Sequence, residues 1–481
     1  MARSCAGRPA PVRRSPSSSK DHDMTTRAMA EFVAQLRFEA LPEAVRRQAC
    51  RLVLDAVGCA VSAWTEDAGK ARIAGAVAAM YPASAGAEGA GVIGVAGQPA
   101  QPAFAALANG ILVNAADNDD THKRALLHAG SVVVPVALAM AQAGGLDGRR
   151  CLAALVAGYE VAVRVGMAVM PTHYRFWHST ATNGTFGAAA AAAHALGLDA
   201  DGVQRALGLA GTQAAGLNTF FESGDMTKSL HPGKAALNGI LSAQLAGLGM
   251  TSPPNMLEHP KGYLNAFSLE PDAAALTRGL GTEWEILQNG FKSFPSILAS
   301  HSPIQATLAL VRRHAIDPAR IARITNETYN TVLSHFSSKE VGSVMAARIS
   351  VPYCIAVAAV DGALTQAQFD PARINDPLVR RVLARTEVIA DAALNARYPA
   401  EFPARVTITL EDGPSFTETV LLPKGDPGQP LSDAELEAKF RDNCAASLTP
   451  ERTAQLQAAI QGLPEAGSLR ALTGLLTFSG G

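Results

Sequence analysis

The sequence predicts a mainly α-helical protein, in which a large all-helical domain carries an inserted α+β domain. The chain of 481 residues is too long for one simple core, so two domains are expected. It is rich in Ala and Gly but only 5% aromatic, which favours closely packed helices over a β-sandwich. The hydrophobic pattern also changes from helical to alternating near residue 280.

Residues 27–278 are predicted to form the first part of the helical domain. Two amphipathic helices lie on either side of Leu41-Pro42. Further helices are predicted over "AQPAFAALANGILVNAA", "GTFGAAAAAAHALGL", "ADGVQRALGLAGTQAAG" and "GKAALNGILSAQLAGLG". Their faces of Ala and Gly allow close approach, so we expect a compact bundle of buried helices.

Residues 279–425 are predicted to form the inserted α+β domain. "TEWEILQ" (282–288) and "ARITNETYN" (322–330) carry alternating or β-branched patterns typical of strands. "RVTITLEDGPSFTETVLL" predicts a hairpin with its turn at "EDGP", and "SPIQATLALVRRHA" and "VPYCIAVAAVDGAL" predict helices. Residues 426–481 are again helical. They begin with a capping box, Ser432 and Glu435, and are expected to return to the first domain.

The N-terminal residues 1–26 are predicted to be a disordered extension. The first 23 are rich in Arg, Pro and Ser and carry no acidic residue before Asp21. A transit peptide can have this composition, but the segment lacks an amphipathic apolar face. A true start at Met24 is the other reading of the same feature.

Bulk properties argue against several classes of function. The formal net charge of -1 gives no reason to expect a nucleic-acid or membrane partner. The six cysteines are scattered without a CxxC pair, which disfavours a structural zinc or iron–sulfur site and suits a reducing cytoplasm. Apolar runs such as "VVVPVALAMA" (132–141) are shorter than a bilayer span. We therefore expect a soluble, cytoplasmic protein.

Three polar clusters each lie ahead of, or at the start of, a predicted helix. "DNDDTHKRALLHAG" (117–130) precedes a helix near Pro135, "FWHSTATNG" precedes the alanine helix, and "TKSLHPGKAA" has Pro232 as a first helical residue. Helix N-termini attract anions, and histidine moves protons near neutral pH. The clusters together predict a pocket for a polycarboxylate, whose candidate residues are Asp117, Thr121, His128, His178, Lys228 and His231.

Other site chemistries are weaker. The aspartates of the first cluster are commonly helix caps, and as Mg²⁺ or Ca²⁺ ligands they lack EF-hand spacing. The chain has no GxSxG nucleophile elbow, and "GVIGVAG" (91–97) lacks the spacing of a nucleotide fingerprint. No metal and no cofactor are therefore predicted.

The motifs "DNDDTH", "HAGSVVVPVALAMA", "HSTATNGTFGAAAAAAHALGLD", "TKSLHPGKAALNGILSAQLAGLG", "KSFPSILASH" and "ISVPYCIAVAAVDG" occur in this order. With them the chain resembles the MmgE/PrpD family from about residue 28 to residue 478. The resemblance implies a helical domain with an inserted α+β lid, a homodimer, and a cofactor-free pocket between the domains. It places Asp117, Thr121, His128, His178 and Lys228 on the helical side of that pocket, and His301 and Tyr353 on the lid side.

The resemblance implies a lyase that breaks a bond next to a carboxylate of a small di- or tricarboxylate, by dehydration or decarboxylation. An epimerase of a similar dicarboxylate and a non-catalytic carboxylate-binding protein are the alternatives. Lys228 would hold carboxylates and stabilise enediolate charge, and His128 or His178 would move the proton. His301 and Tyr353 would act on the departing group. Ser296 and Ile297 stand where many members of the family carry cysteines, so the lid wall is expected to differ.

Overall fold

The computed structural model of the protein describes residues 25–86 and 88–478. Over these residues the chain forms 21 α-helices and six short strands, so it is mainly α-helical, as predicted. The helices are α1 (Thr25–Gln35), α2 (Glu43–Glu66), α3 (Ala68–Met80), α4 (Pro102–Val113), α5 (Gly130–Ala143), α6 (Gly148–Val169), α7 (Ser179–Ala195), α8 (Ala200–Gly211), α9 (Phe220–Ser223), α10 (Thr227–Gly247), α11 (Tyr263–Phe267), α12 (His301–His314), α13 (Asn330–His335), α14 (Val344–Ile349), α15 (Val351–Asp361), α16 (Pro371–Ile374), α17 (Pro377–Ala384), α18 (Ala392–Asn395), α19 (Asp433–Cys444), α20 (Pro450–Gln461) and α21 (Arg470–Leu476). The strands are β1 (Thr121–His122), β2 (Asn289–Gly290), β3 (Ile321–Thr328), β4 (Thr386–Ala390), β5 (Ala404–Leu410) and β6 (Ser415–Val420).

The predicted N-terminal extension lies outside the described residues, apart from Thr25 and Thr26 in the first turn of α1. Within the described part, one helix, α6, is long and apolar enough to cross a membrane. However, 94% of its apolar window is buried inside the protein, as in the core helix of a globular fold.

The first hydrophobic core combines side chains from both ends of the chain, residues 29–291 and 431–478. Arg51 of α2 donates a hydrogen bond to the Leu431 carbonyl at 2.6 Å. Phe440 of α19 packs so closely on α2 that a Cβ atom at Gly58 would lie 3.0 Å from its ring. The tail begins with the predicted capping box of Ser432 and Glu435.

Glycine and alanine allow α10 to lie directly against α4 and α7. A Cβ atom on Gly110 of α4 would lie 2.7 Å from the Cα atom of Gly233 of α10. A Cβ atom on Gly239 of α10 would lie 2.2 Å from the Cβ atom of Ala188 of α7. Larger side chains would separate these helices. The close packing brings the start of α10 near the loop that follows α4.

The second hydrophobic core is formed by residues 297–410 and includes a four-stranded sheet of order β4-β3-β5-β6. β3 and β4 are parallel, whereas β3–β5 and β5–β6 are antiparallel. The β5–β6 hairpin confirms the predicted turn at "EDGP". The boundaries 278/279 and 425/426, and the action of this part as a lid, stay predictions.

The segment "TEWEILQ" does not form the strand that its pattern indicates. Glu285–Gln288 is a 3₁₀ helix. The reason is a tertiary contact, since the Ile286 amide donates to the Glu160 carboxylate of α6 at 3.0 Å and is not available to a sheet. The chain then enters β2, which pairs with β1 in antiparallel register. This small pairing joins the loop after α4 to residues 289–292.

Candidate active site

A buried cavity of about 80 Å³ is lined by residues from both halves of the described chain. A single ordered water needs roughly 10–15 Å³, so the cavity has room for a small ligand. The charged and polar lining residues are Asp117, Thr121, His128, Lys228, Lys292 and Thr331. The apolar and aromatic lining residues are Leu126, Tyr174, Phe221, Ile297, Leu298, Ala299, Tyr329, Phe336, Tyr398 and Phe402.

Asp117 is the centre of the charged side. Its Oδ1 atom lies 2.5 Å from the Lys228 Nζ atom and 2.5 Å from the Lys292 Nζ atom. Lys292 also donates to the Asp117 carbonyl at 2.9 Å. Burial alone would raise the pKa of Asp117, but Lys228, Lys292 and His128 outweigh it and hold that pKa well below its usual range. One carboxylate and two ammonium groups therefore share a buried site.

The loop between α4 and α5 carries Asp117 in an unusual conformation. Its φ angle is 54°, in the left-handed region that aspartate tolerates better than most residues. Leu126 of the same loop has a φ of 46° and also lines the cavity. Such strained residues persist where the surrounding structure holds them, and they cluster at functional sites. The loop ends at Gly130, where α5 begins, earlier than the predicted start near Pro135.

Lys228 lies in the first turn of α10 and not ahead of the helix, which corrects the sequence prediction. The helix begins at Thr227, whose amide donates to the Asp225 carboxylate at 2.7 Å. The N-cap residue is Met226, which makes no side-chain cap, and Pro232 is inside the helix. Burial lowers the pKa of Lys228, and Asp117 counteracts the effect. The ammonium group is thus fixed beside the N-terminal end of α10.

His128 lies next to the Asp117 cluster. Its Nδ1 atom is 3.1 Å from the Thr121 hydroxyl and 3.1 Å from the Asp120 carbonyl. Since a carbonyl only accepts, the proton belongs on Nδ1, and the unprotonated Nε2 is 3.8 Å from Asp117 Oδ1. Burial lowers the pKa of His128 to about 4, so the ring is neutral at pH 7. Nε2 is the atom that can accept or return a proton.

His178 and His231 form a buried pair that lies next to His128 but does not line the cavity. Their Nδ1 atoms are 2.9 Å apart, and the His178 ring centroid lies 6.5 Å from that of His128. Burial and the neighbouring histidine lower the pKa of His178 well below its usual range, and burial lowers the pKa of His231 to about 4. Neither is among the cavity-lining residues. The pair packs behind the site.

Comparison with known proteins identifies the family. Residues 27–275 match the MmgE/PrpD N-terminal domain, and residues 294–464 match the MmgE/PrpD C-terminal domain. The protein belongs to the MmgE/PrpD family. The C-terminal match runs on through α19 and α20, although these helices pack into the first core.

Several curated MmgE/PrpD relatives are similar over nearly the whole chain. The cis-aconitate decarboxylase-like protein oryM of Aspergillus oryzae is 27% identical, over 94% of this chain and 97% of the relative. Cis-aconitate decarboxylase of Homo sapiens is 29% identical, over 94% of each chain. Cis-aconitate decarboxylase of Aspergillus terreus is 29% identical, over 89% of this chain and 90% of the relative.

In this MmgE/PrpD protein, His301 and Tyr353 do not line the cavity either, so four of the eight predicted site residues, with His178 and His231, lie outside its lining. His301 is buried; its Nε2 atom is 3.4 Å from the Ser296 carbonyl, and its Nδ1 atom has no hydrogen-bond partner among the described residues. Burial lowers the pKa of His301 to about 3. The Tyr353 hydroxyl donates to the Gln368 carbonyl, and its ring packs in the second core. Asp117, Thr121, His128 and Lys228 are therefore the predicted residues that the fold brings together at the cavity.

Sequence reasoning missed two residues of the MmgE/PrpD site. Lys292 is the first residue of the motif "KSFPSILASH", so its position in the motif could have identified it. The sequence prediction instead named His301, the last residue of that motif. Tyr329 directly follows β3 and lines the cavity. Its buried hydroxyl has no hydrogen-bond partner within the described chain. No local pattern distinguishes Tyr329 from an ordinary core tyrosine.

The same loop offers a possible metal-ligand set. Atoms of Asp117, Asp119 and His128 lie within 4.8 Å of one another. However, the two ammonium groups at Asp117 Oδ1 would repel a cation, and both Asp119 oxygens accept from the Asn114 amide at 3.0 Å. The charges around these three residues therefore suit an anion better than a divalent cation.

Proposed function

We propose that this protein is a cofactor-independent lyase that decarboxylates a small, unsaturated di- or tricarboxylate. The observation that carries the proposal is the Asp117 cluster, in which two buried ammonium groups share one buried carboxylate at the cavity. Asp117, Lys228 and Lys292 together carry one net positive charge, with the Asp119 carboxylate within 4.8 Å, and the two ammonium groups can each donate hydrogen bonds to a carboxylate. The family and the cis-aconitate decarboxylases among its relatives support a lyase of this kind.

The reaction needs groups that stabilise the negative charge released when the C–C bond breaks, and it needs a donor of one proton. When the C–C bond to the departing carboxylate breaks, its electron pair forms a new C=C bond. The pair of the old C=C bond moves to the carbon beside a retained carboxylate. Lys228 and Lys292 hold that carboxylate and stabilise the charge that develops on it. CO₂ leaves, and the carbon takes up one proton.

His128 is the proposed donor of that proton. In the empty site its pKa is about 4, but a bound anionic substrate raises the pKa of a neighbouring imidazole. Nε2 faces Asp117 and the two lysines, where the retained carboxylate would bind. His128 would therefore arrive protonated in the complex, give its proton to the carbon, and recover one from water.

The test is turnover by the purified full chain in D₂O. Cis-aconitate, methylcitrate, citrate and iminodisuccinate are each followed by CO₂ release and by NMR. Decarboxylation predicts CO₂ together with one deuterium in the product, at the carbon that took up the proton. Dehydration would give an ultraviolet change without CO₂, and epimerisation would change optical rotation and exchange one C–H for deuterium without CO₂ or an ultraviolet change. Binding without any of these would favour a non-catalytic carboxylate-binding protein.

Two controls address the other parts of the proposal. Activity should survive exhaustive chelation, and a loss that Mg²⁺ or Mn²⁺ restores would replace the lysine-based mechanism with a metal-based one. H128Q should lose turnover while the thermal shift caused by bound carboxylate remains. Light scattering of the same sample checks the proposed homodimer.

A further inference from the structure

The cavity has two chemically different sides. The charged side comes from the loop after α4, from α10 and from Lys292. Six of the other lining residues are aromatic and are called the aromatic wall: Tyr174, Phe221, Tyr329, Phe336, Tyr398 and Phe402. Most of this aromatic wall belongs to, or packs against, the second core.

The aromatic wall consists of two groups of rings, each held together by ring contacts. The rings of Tyr329 and Tyr398 stack with centroids 4.4 Å apart, and Phe402 lies 5.5 Å from Tyr398. Phe221 joins Tyr174 at 6.0 Å and Phe336 at 5.5 Å. Such contacts hold aromatic rings in fixed orientations.

The wall offers a carboxylate no compensating charge. Among the described residues that line the cavity, the cationic side chains are Lys228 and Lys292, both bound to Asp117. The Tyr329 hydroxyl, which has no partner among the described residues, can orient a carboxylate through one hydrogen bond but cannot neutralise it. An ionised group against such a wall is desolvated at a large cost.

We propose that the aromatic wall is the subsite of the departing carboxylate. This inference rests on the decarboxylation proposed above. A carboxylate at the wall loses its hydration without gaining a cationic partner, which costs free energy. This cost disappears as the group becomes neutral CO₂ and its electrons move toward the lysines. The retained carboxylates take the lysine side. The wall therefore selects which carboxylate is lost and destabilises the ground state more than the transition state.

A pair of unreactive ligands tests the subsite without any turnover. Tricarballylate and 2-isobutylsuccinate differ only in that an isopropyl group replaces one terminal carboxylate. The wild-type protein should bind 2-isobutylsuccinate at least as tightly as tricarballylate, as measured by calorimetry. I297K places an ammonium group on the lid side of the cavity, and I297M is its uncharged control of similar length. I297K should bind tricarballylate at least tenfold more tightly than I297M does.

The subsite is refuted if the wild-type protein binds tricarballylate tenfold more tightly than 2-isobutylsuccinate, or if I297K and I297M bind tricarballylate equally. Thermal melting of both variants verifies that they are folded. A second pair, F336K and F336M, repeats the comparison at a residue of the aromatic wall itself.

The role of the wall in the rate is tested with a substrate that the wild-type protein decarboxylates. I297K should have a lower KM and a kcat at least tenfold below that of I297M, because the added cation stabilises the carboxylate that has to leave. An equal or higher kcat for I297K would overturn this role. If the wild-type protein releases no CO₂ from any acid tested, the decarboxylation and the rate role both fall. The binding comparison then still decides whether the wall disfavours a carboxylate, independently of the decarboxylation.

Discussion

Lys292 should be essential for turnover but dispensable for folding. Its Nζ atom binds both Asp117 Oδ1 and the Asp117 carbonyl, and it supplies one of the two positive charges that face the cavity. K292M preserves most of the side-chain volume and removes the charge. Loss of one preorganised electrostatic donor costs about 10²–10³-fold in kcat, or roughly 3–4 kcal/mol of transition-state stabilisation.

The effect of K292M on stability should be small or favourable. The wild-type cluster buries two positive charges with one negative charge, whereas K292M leaves the single pair of Asp117 and Lys228. D117N makes the opposite change and leaves two buried ammonium groups uncompensated, which costs about 3–5 kcal/mol. The two variants should therefore differ in the sign or the size of their effect on the free energy of unfolding.

The assay combines CO₂ release at saturating substrate with urea unfolding of both variants. A K292M protein that keeps kcat within threefold of the wild-type value would remove Lys292 from the mechanism. A K292M protein as destabilised as D117N would show that Lys292 holds the loop in place, and the charge argument would then be wrong.

Three further predictions concern polar contacts outside the Asp117 cluster. Burial lowers the pKa of His173 to about 4, so its neutral form stabilises the fold above pH 6.5, and this contribution is lost as the pH falls toward 4. The melting temperature should therefore fall between pH 6.5 and pH 4, and it should fall less steeply in H173Q. Lys439 donates to Asp55 at 2.6 Å and to the Asn118 carbonyl at 2.7 Å in a buried setting, so K439M should lose about 3–5 kcal/mol of unfolding free energy in urea titrations. The exposed pair of Lys424 serves as control, because K424M should cost at most about 1 kcal/mol. Y353F removes only a hydrogen bond to a backbone carbonyl, so it should cost about 1 kcal/mol of stability and keep kcat; a tenfold lower kcat would restore the catalytic role that the family resemblance implies.

Local patterns in the sequence located several helices and one hairpin. They also identified Thr121, His128 and Lys228 as residues of the site. Helical periodicity and punctuation located α1, α2 and α19, and alternation located the β5–β6 hairpin. Thr121 and His128 are seven positions apart in one loop, so their hydrogen bond is a local event that the cluster of polar residues already indicates. Lys228 was found because a cation at a helix start is unusual.

Lys292 could not be placed by such patterns. It binds Asp117 from 175 positions away in the chain, and it is brought there by a pairing of two-residue strands. Strands this short have no periodicity to detect. The aromatic wall is also a product of tertiary structure, since Phe221 and Phe402 come from distant segments and line one cavity only when the second core forms.

The two ammonium groups of the Asp117 cluster have a consequence for how the protein holds its ligand. Lys228 and Lys292 repel each other across a shared carboxylate, and the Ala- and Gly-rich core has to stabilise this arrangement. A bound carboxylate relieves this repulsion, so binding stabilises the folded state by mass action as well as by this relief. The same ligand should raise the melting temperature of K292M less, because that repulsion is already gone. The pairing of two ammonium groups on one carboxylate therefore argues for an anion as the ligand of this site.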